Sequence, residues 1–263
     1  MIKIESITEP GFRMDYFRFG TGKNNMVIIP GLSIQSIMPF ADLIERDYSV
    51  FSNDYTVYVF DRRYDITPGY SINDMADDTV RALEFLKIDK AYIFGASQGG
   101  MIGMVMAVCH PELVVKIALG STAACISGEL NSRITQWIDL ARLGKAEELV
   151  LAFSKMIYPA EVYEKSKDII LNSAKHITAG DLKRFEILAG SLIDFDITGK
   201  LGALNCPAFV IGSLDDELLG GESSRELHGL IPGSELFMYN GYGHAAYDLA
   251  PEYKEKMFSF FMK

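Results

Sequence analysis

Residues 91–112 read AYIFGASQGGMIGMVMAVCHPE. A short β-rich run leads into Gly95-Ala96-Ser97-Gln98-Gly99, and a stretch rich in Gly and Met at helical spacing follows. The pattern predicts a strand, a sharp turn and a helix, with Ser97 exposed at the turn. Such a turn strains the serine backbone. Glycines two positions to either side therefore keep β-carbons from colliding with neighbouring elements. A helix N-terminus beneath the serine also favours negative charge developing there. The five-residue pattern alone is common, so its meaning depends on what surrounds it.

A serine hydroxyl needs an adjacent base to act as a nucleophile. The chain has four histidines, His110, His176, His228 and His244. His110 opens the HPE after the predicted helix and reads as a helix-end residue. His176 falls in a helical segment, and His228 in a helical pattern facing solvent. His244 lies in Tyr239-Asn240-Gly241-Tyr242-Gly243-His244, just past the last predicted strand, where two glycines allow a tight loop. It is the expected base. The acid that orients such an imidazole should lie at the end of the preceding strand, in PAFVIGSLDDELLGG. Asp215 is the expected residue, with Asp216 as the alternate, since a one-residue bulge would exchange them.

Further out, short β runs alternate with helical patterns, as in a parallel sheet flanked by helices. Lys3–Ile7 and Arg13–Arg18 suggest an opening hairpin. Met26–Ile29, Thr56–Phe60, Ala91–Phe94, Val115–Leu119, Ala208–Ile211 and Glu235–Tyr239 follow. The inner runs are continuously apolar, as expected for strands covered on both faces. Between about Ser127 and Gly199 no strand is expected. Four helices are: Glu129–Leu143, Ala146–Ile157, Ala160–Ile177 and Gly180–Phe195. This gives a sheet domain in two parts, 1–126 and 201–263, with a helical cap at 127–200.

The 263 residues suffice for such a domain, and 49% are apolar. A net charge of −10 argues against nucleic acid and anionic membrane surfaces, and no apolar run approaches bilayer length. Cys109, Cys125 and Cys206 show no metal spacing and read as buried thiols of a reducing, cytoplasmic compartment. Asp54, Asp61, Asp74, Asp77 and Asp78 lack the rhythm of a calcium loop, and Asp74 to Asp78 reads as a helix start. Met101, Met104 and Met106 read as core. No dinucleotide or P-loop motif occurs, so neither a cofactor nor a metal is expected.

With these residues in hand the sequence resembles the α/β-hydrolase superfamily, in its single-cap esterase-like branch, along nearly its whole length. The resemblance implies an eight-stranded, mostly parallel sheet with helices on both faces and a lid inserted after the sixth strand. It also implies an oxyanion hole from two backbone amides. One is that of Gln98; the other is that of Leu32, in Ile29-Pro30-Gly31-Leu32-Ser33, where relatives commonly have histidine in place of Pro30. Asp61-Arg62-Arg63 resembles a family turn bracing the sheet edge, with no chemistry expected of it. Trp137, Phe153, Met156, Tyr158 and Phe195 either line an acyl pocket or pack the cap on itself. The expected activity is hydrolysis of a carboxylic ester or thioester of a small to medium acyl group through an acyl-enzyme. Carbon–carbon bond hydrolysis, lactonase, amidase or perhydrolase activity, and non-catalytic binding of a small molecule, are the alternatives.

Overall fold

The computed structural model describes all residues, 1–263. Eight strands form one sheet: β1 (Ile4–Glu9), β2 (Phe12–Phe19), β3 (Asn24–Ile29), β4 (Tyr55–Phe60), β5 (Ala91–Ala96), β6 (Val114–Gly120), β7 (Ala208–Ser213) and β8 (Glu235–Tyr239). Their spatial order is β1-β2-β4-β3-β5-β6-β7-β8. β2 runs antiparallel to both β1 and β4, and every other pairing is parallel. The eight-stranded, mostly parallel architecture expected from the sequence is therefore present.

Ten α-helices accompany the sheet: α1 (Ala41–Asp47), α2 (Ile72–Phe85), α3 (Gln98–Cys109), α4 (Gly128–Arg142), α5 (Ala146–Ile157), α6 (Ala160–Ala174), α7 (Ala179–Gly190), α8 (Ser223–Leu230), α9 (Ala246–Leu249) and α10 (Tyr253–Met262). α2, α3 and α8 pack into the core on one face, with Met75, Ile102, Met104 and Leu227 fully buried. α1 and α10 cover the other, where Phe51, Tyr253, Met257 and Phe261 pack against Phe17 and Val59. Two covered faces explain why the central strands are apolar without alternation. α3 is buried on every side from Gln98 to Ala107. Small residues and pliable methionines fit such a position readily, and Met101, Met104 and Met106 are core, as expected.

α4 to α7 form a helical insertion between β6 and β7. Its neck is stitched: Ile126 N–H donates to the Phe195 carbonyl (2.8 Å) and Ile197 N–H to that of Ala124 (2.9 Å). This stitching corrects the expected end of α7. The segment up to Phe195 must leave the helix after Gly190 to reach the neck, turning through Asp194 at φ 56°. α6 stops at Ala174 rather than Ile177, because Thr178 takes an extended conformation to cap α7. Asp74 does start a helix: the Ser71 hydroxyl accepts from Asp74 N–H, and the Asp74 carboxylate accepts from Ser71 N–H. The thiols differ from expectation. All three are free, with Cys109 and Cys125 exposed and Cys206 half-buried, since each falls at or beyond the end of an element. No helix is long and apolar enough to cross a membrane.

Candidate active site

Ser97 sits between β5 and α3 at φ 52°, ψ −121°, a backbone conformation costly for any residue with a β-carbon. The surroundings hold it there. Its N–H donates to the Gly120 carbonyl (2.8 Å), and its carbonyl accepts from Gly100 N–H (2.9 Å) and the Thr122 hydroxyl (2.7 Å). The flanking glycines have the role predicted for them. A β-carbon on Gly95 would lie 2.3 Å from the Gly99 carbonyl oxygen, and one on Gly99 would lie 1.9 Å from that of Ile29.

His244 lies in a turn after β8 and is wholly buried. Its Nδ1 is 2.9 Å from Oδ2 of Asp216, itself only 5% exposed. The other oxygen of Asp216 accepts from Leu218 and Leu219 N–H, both at 2.9 Å. Asp215, the expected partner, is corrected here. Its carboxylate accepts instead from the Ser213 hydroxyl (2.6 Å) and from Gly241 (2.9 Å) and Gly243 N–H (3.2 Å). The two side chains diverge at a turn that Asp216 N–H closes on the Ser213 carbonyl (3.3 Å). Burial pushes the Asp215 carboxyl up, but these three donors outweigh it and hold it below the usual carboxylate range.

His244 Nε2 is buried and has no hydrogen-bond partner. Ser97 and His244 both line a cavity of about 640 Å³ between the sheet and the insertion. Ile134, Trp137, Val150 and Phe153 of the insertion and Leu32, Ile34 and Met101 of the sheet domain contribute to its mostly apolar wall. The aromatic residues in doubt thus divide. Trp137, Phe153 and Tyr158 line the cavity, while Met156 and Phe195 pack on the core. Trp137 and Phe153 also meet edge to face at 4.9 Å, so they both shape the wall and bind α4 to α5.

The Pro30–Ser33 loop lies directly against the elbow. A β-carbon on Gly31 would stand 3.3 Å from Ser97 Cβ and 3.9 Å from its Oγ. The N–H groups of Leu32 and Gln98 donate to no protein acceptor. The other histidines lie apart. His110 ends α3, His176 offers its carbonyl to Gln35, and His228 is half-buried against Ser234 (2.8 Å) rather than facing solvent. No group of three or more His, Cys, Asp or Glu side chains is placed to hold a metal.

Arg62 is expected from the sequence only to brace the sheet edge, and Asp248 is not singled out there at all. Arg62 is buried, and its Nη2 donates to the Pro30 carbonyl (2.6 Å) and the Gln98 side-chain oxygen (3.4 Å). Burial pushes its guanidinium down to about 10, with the nearby Tyr70 and Asp61 opposing. The signal lay in the sheet order: β3 and β4 pair in parallel, so the residues following each strand emerge side by side. Asp248 lines the cavity on the α9 side. The residue keeps an exposed face, and desolvation of its carboxyl on the cavity side pushes it up to about 6; Lys254 and His244 oppose the rise and Asp47 adds to it.

A family model for the alpha/beta hydrolase fold matches residues 25–146. RutD of Serratia proteamaculans, named as a candidate carbamate hydrolase, is 28% identical over 182 residues, 68% of each chain. Among solved structures, the alpha/beta hydrolase MGS-M2 from a Medee basin deep-sea metagenome superposes with a TM-score of 0.89 at 21% identity, covering 98% of each chain. The enol-lactonase of Burkholderia xenovorans does so with a TM-score of 0.86 at 18% identity, covering 98% of this chain and all of the other. With its strand order, its strained serine turn and these likenesses, the chain has the α/β-hydrolase fold.

Proposed function

We propose that the protein is a serine hydrolase that cleaves a carboxylic ester or thioester of a small to medium apolar acyl group. Ser97 is the nucleophile, His244 the general base and then acid, and Asp216 the carboxylate that fixes the imidazole tautomer and stabilises the imidazolium. The N–H groups of Leu32 and Gln98 receive the oxyanion. Water activated by His244 then releases the acyl group, with no cofactor required. The α4–α7 insertion serves as a cap over the acyl-binding cavity.

The observation that carries this reading is the state of His244. One ring nitrogen is committed to a buried carboxylate, and the other is buried, unpartnered and borders the cavity that Ser97 also lines. Most buried polar atoms with a purely structural role are hydrogen-bonded. Nucleophile and base often tighten their hydrogen bond only when substrate arrives, so an unpartnered Nε2 is compatible with the role of base. The mostly apolar wall favours an apolar acyl chain. Hydrolysis of a carbamate or a lactone, the activities in the names of two similar proteins, also requires attack on a carbonyl carbon, which supports the reaction class. Ser97→Ala is expected to abolish hydrolysis of p-nitrophenyl butyrate and labelling by a fluorophosphonate, with an unchanged melting temperature. Undiminished turnover in that variant would sink the proposal.

A further inference from the structure

Behind the Pro30–Leu32 loop lies a polar group that sheet packing does not explain. Arg62 is 6% exposed, and no carboxylate lies within ion-pair distance of its guanidinium. The neighbouring Asp61 is turned elsewhere: its carboxylate accepts from Arg62's own N–H (2.7 Å) and faces Arg184 (3.5 Å). The hydrogen bonds of the Arg62 guanidinium run to two neutral acceptors, the Pro30 carbonyl and the Gln98 side-chain oxygen, and Nε has none. Gln98 in turn donates from Nε2 to the Leu188 carbonyl (2.9 Å) and the Ser191 hydroxyl (3.2 Å), at the end of α7. Arg184 of the same helix donates to the carbonyls of Arg62 and Arg63, both at 2.7 Å.

Burying a cation among neutral dipoles is costly. Here it sits behind the two segments, Pro30–Leu32 and Gln98, whose N–H groups would meet the developing oxyanion. We propose that Arg62 and the Gln98 side chain form a positioning clamp for the oxyanion hole, tied through Gln98 and Arg184 to helix α7 of the insertion. Arg62 holds the Pro30 carbonyl from behind and so fixes the tilt of the next peptides, including the Leu32 N–H. Gln98 holds the other donor peptide between Arg62 and the insertion. The positive charge adds a favourable field for the oxyanion in a site of low polarity. The clamp rests on the serine-hydrolase reading given above. Both residues act as positioning residues, through the backbone amides.

The test compares wild type with Arg62→Met and Arg62→Lys, using p-nitrophenyl butyrate and two ligands. One is an alkyl trifluoromethyl ketone, which adds to the serine and forms an oxyanion; the other is the matching methyl ketone, which binds without adding. Arg62→Met is expected to lower kcat about 10- to 100-fold with KM within about twofold. Affinity for the trifluoromethyl ketone should fall in parallel, while that for the methyl ketone holds. Arg62→Lys, which keeps a charged donor near Pro30, should recover much of the loss. If Arg62→Met does not fold, Gln98→Met cuts the same clamp while leaving the Gln98 position its backbone N–H, and the same split is expected. Equal losses for both ketones, or a lower melting temperature with unchanged kcat, overturn the clamp. Wild-type protein without turnover or fluorophosphonate labelling overturns the hydrolase reading, and the clamp falls with it.

Discussion

The division of labour between Asp215 and Asp216 is decided by a single residue of register. Asp216 reaches the imidazole, whereas Asp215 binds together the Ser213 turn and the Gly241–Gly243 loop that carries His244. Asp216→Asn retains an oxygen for the Leu218 and Leu219 amides but presents the imidazole with a neutral partner. A loss of kcat on the order of 10³–10⁴-fold is expected, with the fold intact, as steady-state kinetics and circular dichroism would reveal. Asp215→Asn should act on stability. A carboxyl whose folded pKa is depressed stabilises the fold above its unfolded pKa, and loses that effect as pH falls through the folded value. A lower melting temperature at pH 7, converging on wild type in strong acid, is the expected result. The sequence offered both aspartates and spacing could not choose. Their directions are those of the folded turn, where Asp216 N–H meets the Ser213 carbonyl and the Gly241–Gly243 loop closes on Asp215.

At the level of elements, local rules were legible wherever one residue's chemistry suffices. The strand-turn-helix around Ser97 needed only its glycines and flanking apolar runs, and the acidic Asp74–Asp78 run marked the start of α2, which the structure shows capped by Ser71 and Asp74. Ser71→Ala should cost about 1 kcal/mol of stability through lost capping, with unchanged kcat/KM, by denaturant titration and kinetics. Helix ends in the insertion were not legible in the same way. Residues 191–195 have the composition of a helix, yet the Ile126–Phe195 and Ala124–Ile197 hydrogen bonds pull them into a neck. Pairings between residues about 70 positions apart override local propensity, and no window of sequence contains both partners.

For the molecule as a whole, the cavity between sheet and insertion sets an electrostatic environment as well as a shape. Asp248 illustrates this. Its carboxyl, raised to about 6 by desolvation on the cavity side against the opposing pull of Lys254 and His244, favours the folded state when protonated. The stability it contributes is present below the unfolded pKa and is lost as pH rises through the folded value. Asp248 also has an exposed face that solvent screens, so Asp248→Asn should melt only slightly above wild type at pH 7, with the gap closing near pH 4; a constant gap would contradict the assignment. By itself the sequence determined the sheet class, the helical insertion, Ser97 at its strained turn and His244 in its loop. Each of these follows from the steric and hydrogen-bonding needs of a few adjacent residues. Only the tertiary structure decided that Asp216 meets His244, that Arg62 and Gln98 stand behind the Pro30–Leu32 loop, and which aromatic side chains line the cavity. Those outcomes depend on distances between segments far apart in the chain, fixed when parallel strands align and the insertion closes on its neck.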